Sequence, residues 1–308
     1  MIKKLTIYCS LLLAFLFNGC AQDDWLINPD GAAPDRDYTE IEFAVSETRH
    51  VKTRAYSLND GDLDKVTILL YSAAEATADC KLLQSEEFGA SDLTSKRVRI
   101  EYNDKVKDYF KEGNSNIYLF AVANHDVVGN CATLADLYKI KDSTDPKNLT
   151  HVVMTGHAGD SGEDDPVVTT VSKSALNSTV TVTLRRNIAR AQVGVGDEAK
   201  GVFELSEYNI WSAAPAGYVA AGVSKSADAT GFALGSTGTI NGEAQTPGTA
   251  TAPNFVYGYP QPVPTQNVDN PEKDNRAFVI VKGRYMSEES YYRIDLRRPV
   301  KDSEGKKT

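Results

Sequence analysis

The 308-residue chain has little of what catalysis or nucleic-acid binding requires. Its four histidines, His50, His125, His151 and His157, are scattered, with no HxxxH, HxH or paired Cys/His spacing of the kind that holds zinc. There is no GxSxG elbow, phosphate-cradling glycine loop or dinucleotide fingerprint, so no catalytic residue is named and no enzyme is expected. Basic residues are outnumbered 33 to 42. Without clustered Lys and Arg a phosphate backbone is not neutralised, which excludes nucleic acid as a partner. Long apolar runs are missing too. The longest, residues 5–17, has 13 positions, whereas a helix crossing a hydrocarbon core needs about 20. No cofactor or metal is expected. The acidic loop at residues 160–165 (DSGEDD) has carboxylates but no complete Ca²⁺-ligand pattern, and it reads as solvated.

What is present begins with a leader. Lys3 and Lys4 precede the apolar run, and Gly19-Cys20 closes it, which reads as a secretory signal with a lipoprotein-type cleavage box. Phe17 stands where such boxes usually carry Leu. Cleavage before Cys20 would free its thiol for diacylglycerol, and each buried acyl methylene adds about 0.8 kcal/mol of membrane affinity. The plainer alternative is an ordinary signal with an incidental cysteine. Ala21-Gln22-Asp23-Asp24 resembles the surface-export signal of Bacteroides-type lipoproteins. Removing residues 1–19 also removes Lys3 and Lys4, leaving 289 residues with 31 basic against 42 acidic side chains, a net charge of −11. That length has room for two domains. Beyond Cys9 and Cys20, only Cys80 and Cys131 remain. In an oxidising compartment they either pair, closing a loop of about 50 residues worth up to ~4 kcal/mol, or stay as two buried thiols.

Period-two alternation and plentiful Tyr, Thr and Val predict an all-β chain with one short helix. The first strand spans residues 39–46, with Ile41, Phe43 and Val45 alternating against Glu40, Glu42 and Ala44. Further strands are predicted at 66–71 (VTILLY), 96–102, 116–123 (NIYLFAVA), 167–172, 178–184, 203–211 and 255–260. A hairpin joins 277–285 to 290–297 across residues 286–289. The helix lies between Thr133 and Ile140, with Thr133 as its cap. His125 and His157 are expected at turns or edges. Trp211, Tyr257 and Tyr259 suit a sugar-stacking role less well than a place in the core of a second sandwich.

The order of several segments resembles one family, the fimbrillins, subunits of the type V pili of Bacteroidales. Its carriers are Thr53-Arg54-Ala55, residues 66–71, Ala123-Asn124, the helix near Leu134 and Leu137, Met154-Thr155-Gly156-His157, residues 180–193, and Tyr291-Tyr292-Arg293-Ile294. The resemblance implies two tandem transthyretin-like β-sandwiches: signal 1–19, tether 20–37, N-terminal sandwich 38–190 and C-terminal sandwich 191–308, with the boundary within 185–200. It implies a lipoprotein precursor at the outer membrane and then polymerisation with other pilus subunits by strand exchange. An Arg-specific protease would cut at Arg54, or failing that at Arg49, and release the first strand, carrying Thr39, Ile41, Phe43 and Val45. Another subunit's strand would then fill the vacated groove. One departure stands out, because the family's donor strand follows the last hairpin. Residues 298–308 are too polar for that, so the expectation is a truncated product or a member that accepts a donor without giving one. The rival class is a surface lipoprotein that binds glycan or host ligand and never polymerises.

Overall fold

The computed structural model describes residues 36–45, 62–73, 79–144, 150–160, 168–191, 193–211, 216–220, 256–259 and 278–295. The chain divides at Arg36/Asp37, and every element below belongs to the unit Asp37–Thr308. It is mostly β, as expected.

Alternation sets β1 (Tyr38–Val45), whose Thr39, Ile41 and Phe43 are buried while Glu40 and Ala44 are exposed. The near-continuous apolar runs of β2 (Lys65–Ser72) and β5 (Asn116–Ala123) have a different cause: both faces of these strands are covered. Val66, Ile68 and Leu70 of β2 join Ile117, Leu119 and Ala121 of β5 in one core. Leu69, Tyr71, Phe120 and Val122 enter a second core on the reverse face, against Leu134, Leu137 and Val153. With β3 (Leu82–Gly89), β4 (Arg97–Glu101), β7 (Met154–His157) and β9 (Thr179–Arg186), these strands form a sheet in the order β3-β2-β5-β7-β9-β1-β4. The short β8 (Val171–Ser172) lies beside β5. Inward side chains of β1, β2, β4, β5, β7 and β9 share the first core, so the sheet folds back on itself as a sandwich. β9 makes the crossing: residues 179–184 pair with β1, and Arg185 and Arg186 pair with β7.

Among the described residues three short α-helices stand where the sequence predicts one. α1 (Asp104–Lys111) is capped by Asn103, whose Oδ1 accepts from the Val106 amide at 3.0 Å, and it buries Val106 and Phe110 one turn apart. α2 (Leu134–Leu137) is the predicted helix, and Thr133 forms a reciprocal capping box with Asp136. α3 (Lys173–Leu176) is capped by Ser172. β3 also lacks a sequence signature, because it is an edge strand with Gln84 its one buried residue and so carries no apolar alternation.

The second half returns to the first. β6 (Lys141–Asp142) pairs with β12 (Gly217–Tyr218), and β10 (Ala189–Ala191) pairs with β13 (Val256–Gly258). Val219 and Ala220 complete the second core, and Tyr259 joins the first. These residues fall after the 185–200 segment yet pack into cores of the N-terminal half. Thr155 Oγ1 donates to the Val219 carbonyl at 2.7 Å, and the Tyr259 hydroxyl donates to the Thr144 carbonyl at 2.8 Å. Asp142 sits at this junction, accepting from the Thr144 amide at 3.0 Å and from Asn187 Nδ2 at 3.1 Å. Burial would raise its carboxyl, but the hydrogen bonds from Thr144 and Asn187 outweigh that and hold it below the usual carboxylate range.

A separate sheet contains β11 (Phe203–Trp211), β14 (Phe278–Tyr285) and β15 (Glu288–Asp295), with a small core of Tyr208, Ile210, Val279 and Val281. The β14–β15 hairpin turns on two residues, Met286 and Ser287, at φ 48° and 73°. That is tighter than the four-residue separator expected from sequence. Phe203 crosses the bare backbone of Gly283 to meet the Tyr292 ring edge-on at 5.5 Å.

Two predictions follow from this packing. A Cβ on Gly156 of β7 would sit 2.3 Å from the Thr183 carbonyl oxygen of β9, so Gly156→Ala should lower stability by about 1–3 kcal/mol in urea unfolding. The stability Asp142 contributes is complete above about pH 4 and is lost as pH falls through its depressed native value. Asp142→Asn should therefore lower the urea midpoint at pH 6 and flatten its decline between pH 5 and pH 3.

Candidate functional site: the channel filled by the first strand

β1 is an internal strand. It runs parallel to β9, with Ile41 opposite Val180, Phe43 opposite Val182 and Val45 opposite Leu184. On its other edge it is antiparallel to β4, with Ile41 opposite Val98 and Thr39 opposite Ile100. Among the described strands, β4 has β1 as its one partner, so β1 joins β4 to the sheet. The channel floor is apolar: Val98 and Ile100 from β4 and Val180, Val182 and Leu184 from β9 lie in the same core as Ile41 and Phe43. Ile41 is fully buried, Phe43 is 3% exposed, and Val45 packs at the margin.

Thr39 is the polar exception on this face, at 1% exposure. Its Oγ1 donates to the Leu176 carbonyl in the last turn of α3 at 3.0 Å. The hydroxyl has one proton, so its short contact with the Tyr102 hydroxyl must be one that Thr39 accepts. The outward face is charged. Arg97 Nη2 donates to Glu42 at 3.0 Å, the Arg99 guanidinium lies 3.5 Å from the centre of the Tyr38 ring, and Thr179 donates to Glu40 at 3.4 Å.

Thr39, Ile41, Phe43 and Val45 therefore lie together on one buried face. Cys20, Arg49, Arg54 and the tether 20–35 lie outside the described residues. Cys80 and Cys131 are both buried in the second core and are not joined by a disulfide. Leu134 N donates to the Cys80 carbonyl, and Lys81 stands opposite Thr133. This register puts Cys80 opposite Leu134, three positions from Cys131. Burial pushes the Cys131 thiol upward, and a hydrogen bond with Tyr71 opposes the shift. Asp160, which opens the acidic loop, is engaged by Arg185 through two hydrogen bonds of 2.7 and 2.8 Å, and the following loop residues lie outside the described set. No cluster of three metal-ligating side chains occurs among the described residues.

Other expectations change. His157 is buried in β7, 6.0 Å from the Phe120 ring, instead of standing at an edge. Tyr259 is buried in the first core rather than in a second sandwich, while Trp211 is 37% exposed. Sequence reasoning placed Tyr102 with Val98 and Ile100 in the alternation of 96–102, and all three are buried. It missed the contact of Tyr102 with Thr39, and it missed α1, although Asn103-Asp104 before Val106, Tyr109 and Phe110 is a cap followed by helical spacing.

The fold and the channel define a class: an all-β sandwich whose first strand is an inserted, doubly paired element. No family model matches the chain, and no curated protein matches it. Among solved structures it is similar to a protein from Parabacteroides distasonis named for a proposed role in cell adhesion. Their identity is 12% and the TM-score 0.48, with 84% of this chain and 79% of that one covered. It is similar also to a fimbrilin from Porphyromonas gingivalis, at 12% identity and TM-score 0.46, covering 86% and 81%. Likeness at this level assigns no family, and function rests on the residues.

Ile41→Ala tests the channel's energetics. Removing a fully buried side chain that faces both β4 and β9 should cost about 2–5 kcal/mol. It should also speed amide hydrogen exchange in residues 97–101 more than in residues 203–211.

Proposed function

We propose that this chain is a non-enzymatic structural subunit of a cell-surface pilus serving adhesion, delivered to the outer membrane as a lipoprotein through Cys20. A protease of Arg specificity cuts after Arg54, with Arg49 as the runner-up, and β1 leaves with the lipidated segment. An extended strand of another subunit takes its place. The observation that carries this reading is β1's position between β9 and β4 on a face of the first core, followed in sequence by a segment, residues 46–61, that holds both arginines.

Loss of β1 leaves two rows of backbone groups unpaired and uncovers apolar surface. Each side chain the size of Ile41 or Phe43 is worth about 1.5–3 kcal/mol when buried, so the vacated channel is a strong acceptor for an extended segment. The domain reading, two tandem sandwiches with a boundary near residues 185–200, belongs to the same proposal.

Incubation with an Arg-specific protease tests it. The expected outcome is a cut at Arg54 followed by an SDS-resistant ladder, which Arg54→Ala abolishes. A ladder that survives Arg54→Ala refutes that cut site. A chain that stays an uncut lipidated monomer supports the ligand-binding lipoprotein instead.

A further inference from the structure

The channel carries more information than its apolar floor. At the Thr39 position, one buried oxygen must donate to a helix-end carbonyl, Leu176 O, and accept from a phenol, Tyr102. Carbonyls in a helix's last turn have no partner within the helix. A hydroxyl side chain supplies both functions from one atom; an amide splits them between its oxygen and nitrogen, a carboxylate only accepts, and Val offers methyl groups to both. Two residues on, the Ile41 position is fully buried between Val98 and Val180. The Phe43 position accepts an aromatic ring opposite Val182, and the Val45 position is apolar at the margin. On the outer face, Arg97 meets a carboxylate at the position of Glu42.

We infer that the channel selects its occupant by a pattern: Ser or Thr, then aliphatic, aromatic and aliphatic residues at steps of two, with an acidic residue over Arg97. The occupant runs parallel to β9. This inference rests on the strand-exchange reading and adds the chemistry of the partner strand, an extended polypeptide segment from another chain. Direction is part of the specification. A strand entering antiparallel to β9 would present its hydroxyl at the Val45 end, away from Tyr102 and Leu176. An occupant with Val at the first position places methyl groups against a buried phenol and carbonyl. The cost of such a mismatch corresponds to at least about 10-fold weaker retention.

The test uses the full chain cut by an Arg-specific protease and then mixed with an excess of fluorescent peptides spanning residues 37–46. Three versions are compared: native, Thr39→Ser and Thr39→Val. The expected result is that native and Ser peptides are retained through gel filtration, and the Val peptide about 10-fold less. Equal retention of the Val and native peptides overturns the hydroxyl rule while leaving strand exchange standing. Failure of all three, native included, refutes strand exchange.

A second measurement on the uncut chain keeps the hydroxyl rule testable in that event. Amide exchange of residues 38–45 should rise about 10-fold in Thr39→Val and stay near the native rate in Thr39→Ser. Unchanged exchange in Thr39→Val overturns the rule by itself.

Discussion

The parallel pairing of β1 with β9 is the contact on which the N-terminal half depends. Through it the first strand closes the sheet, holds β4 in place and covers one side of the main core. The other described strand pairs in this sheet are antiparallel and bridge shorter sequence separations; this one joins residues 40–45 to 179–184. An early segment is thus held by side-chain burial and a long-range ladder, and its departure would unpair β4 and the β1-facing edge of residues 179–184 of β9 while leaving the ladders among the other strands intact.

The rest of the fold is arranged around the same economy. β2 and β5 serve two cores at once, so the sandwich and the outer layer with α2 are built on one pair of strands. The outer layer is completed from far along the chain by Val219 and Ala220, and the Asp142–Asn187–Tyr259 junction fixes that return with buried hydrogen bonds. Buried polar groups with partners specify position more sharply than apolar contact does, because leaving one unmet costs about 1–3 kcal/mol. Thr39 at the channel and Asp142 at the junction both follow that rule, one at a strand proposed to leave and one where the two halves meet.

The β11–β14–β15 sheet is less covered. Tyr291, Tyr292 and Ile294 of β15 are roughly half exposed, and Arg293 stacks on Phe278 at 3.9 Å. The glycine at 283 lets Phe203 cross to Tyr292, so one aromatic pair bridges the three strands above a bare backbone. The second core's two cysteines remain separate buried thiols, each within a different aromatic surrounding: Cys131 beside Tyr71, and Cys80 near Tyr118 and Tyr138.

Much of this was legible in residue order. Alternation at Ile41, Phe43 and Val45 marked β1, the unbroken runs at 66–71 and 116–123 marked two-sided burial, and Thr133 marked the start of α2. Those signals are local, a period or a cap within a few residues. β3 was hidden because an edge strand needs no apolar face, and the tight hairpin was hidden because Met and Ser rarely adopt positive φ. By itself the sequence determined which residues of β1 turn inward. Only the tertiary structure decided what they meet, because Val98 and Tyr102 come from one distant segment and Leu176 and Val180 from another, and no pattern within β1 could show that Thr39 must both donate and accept.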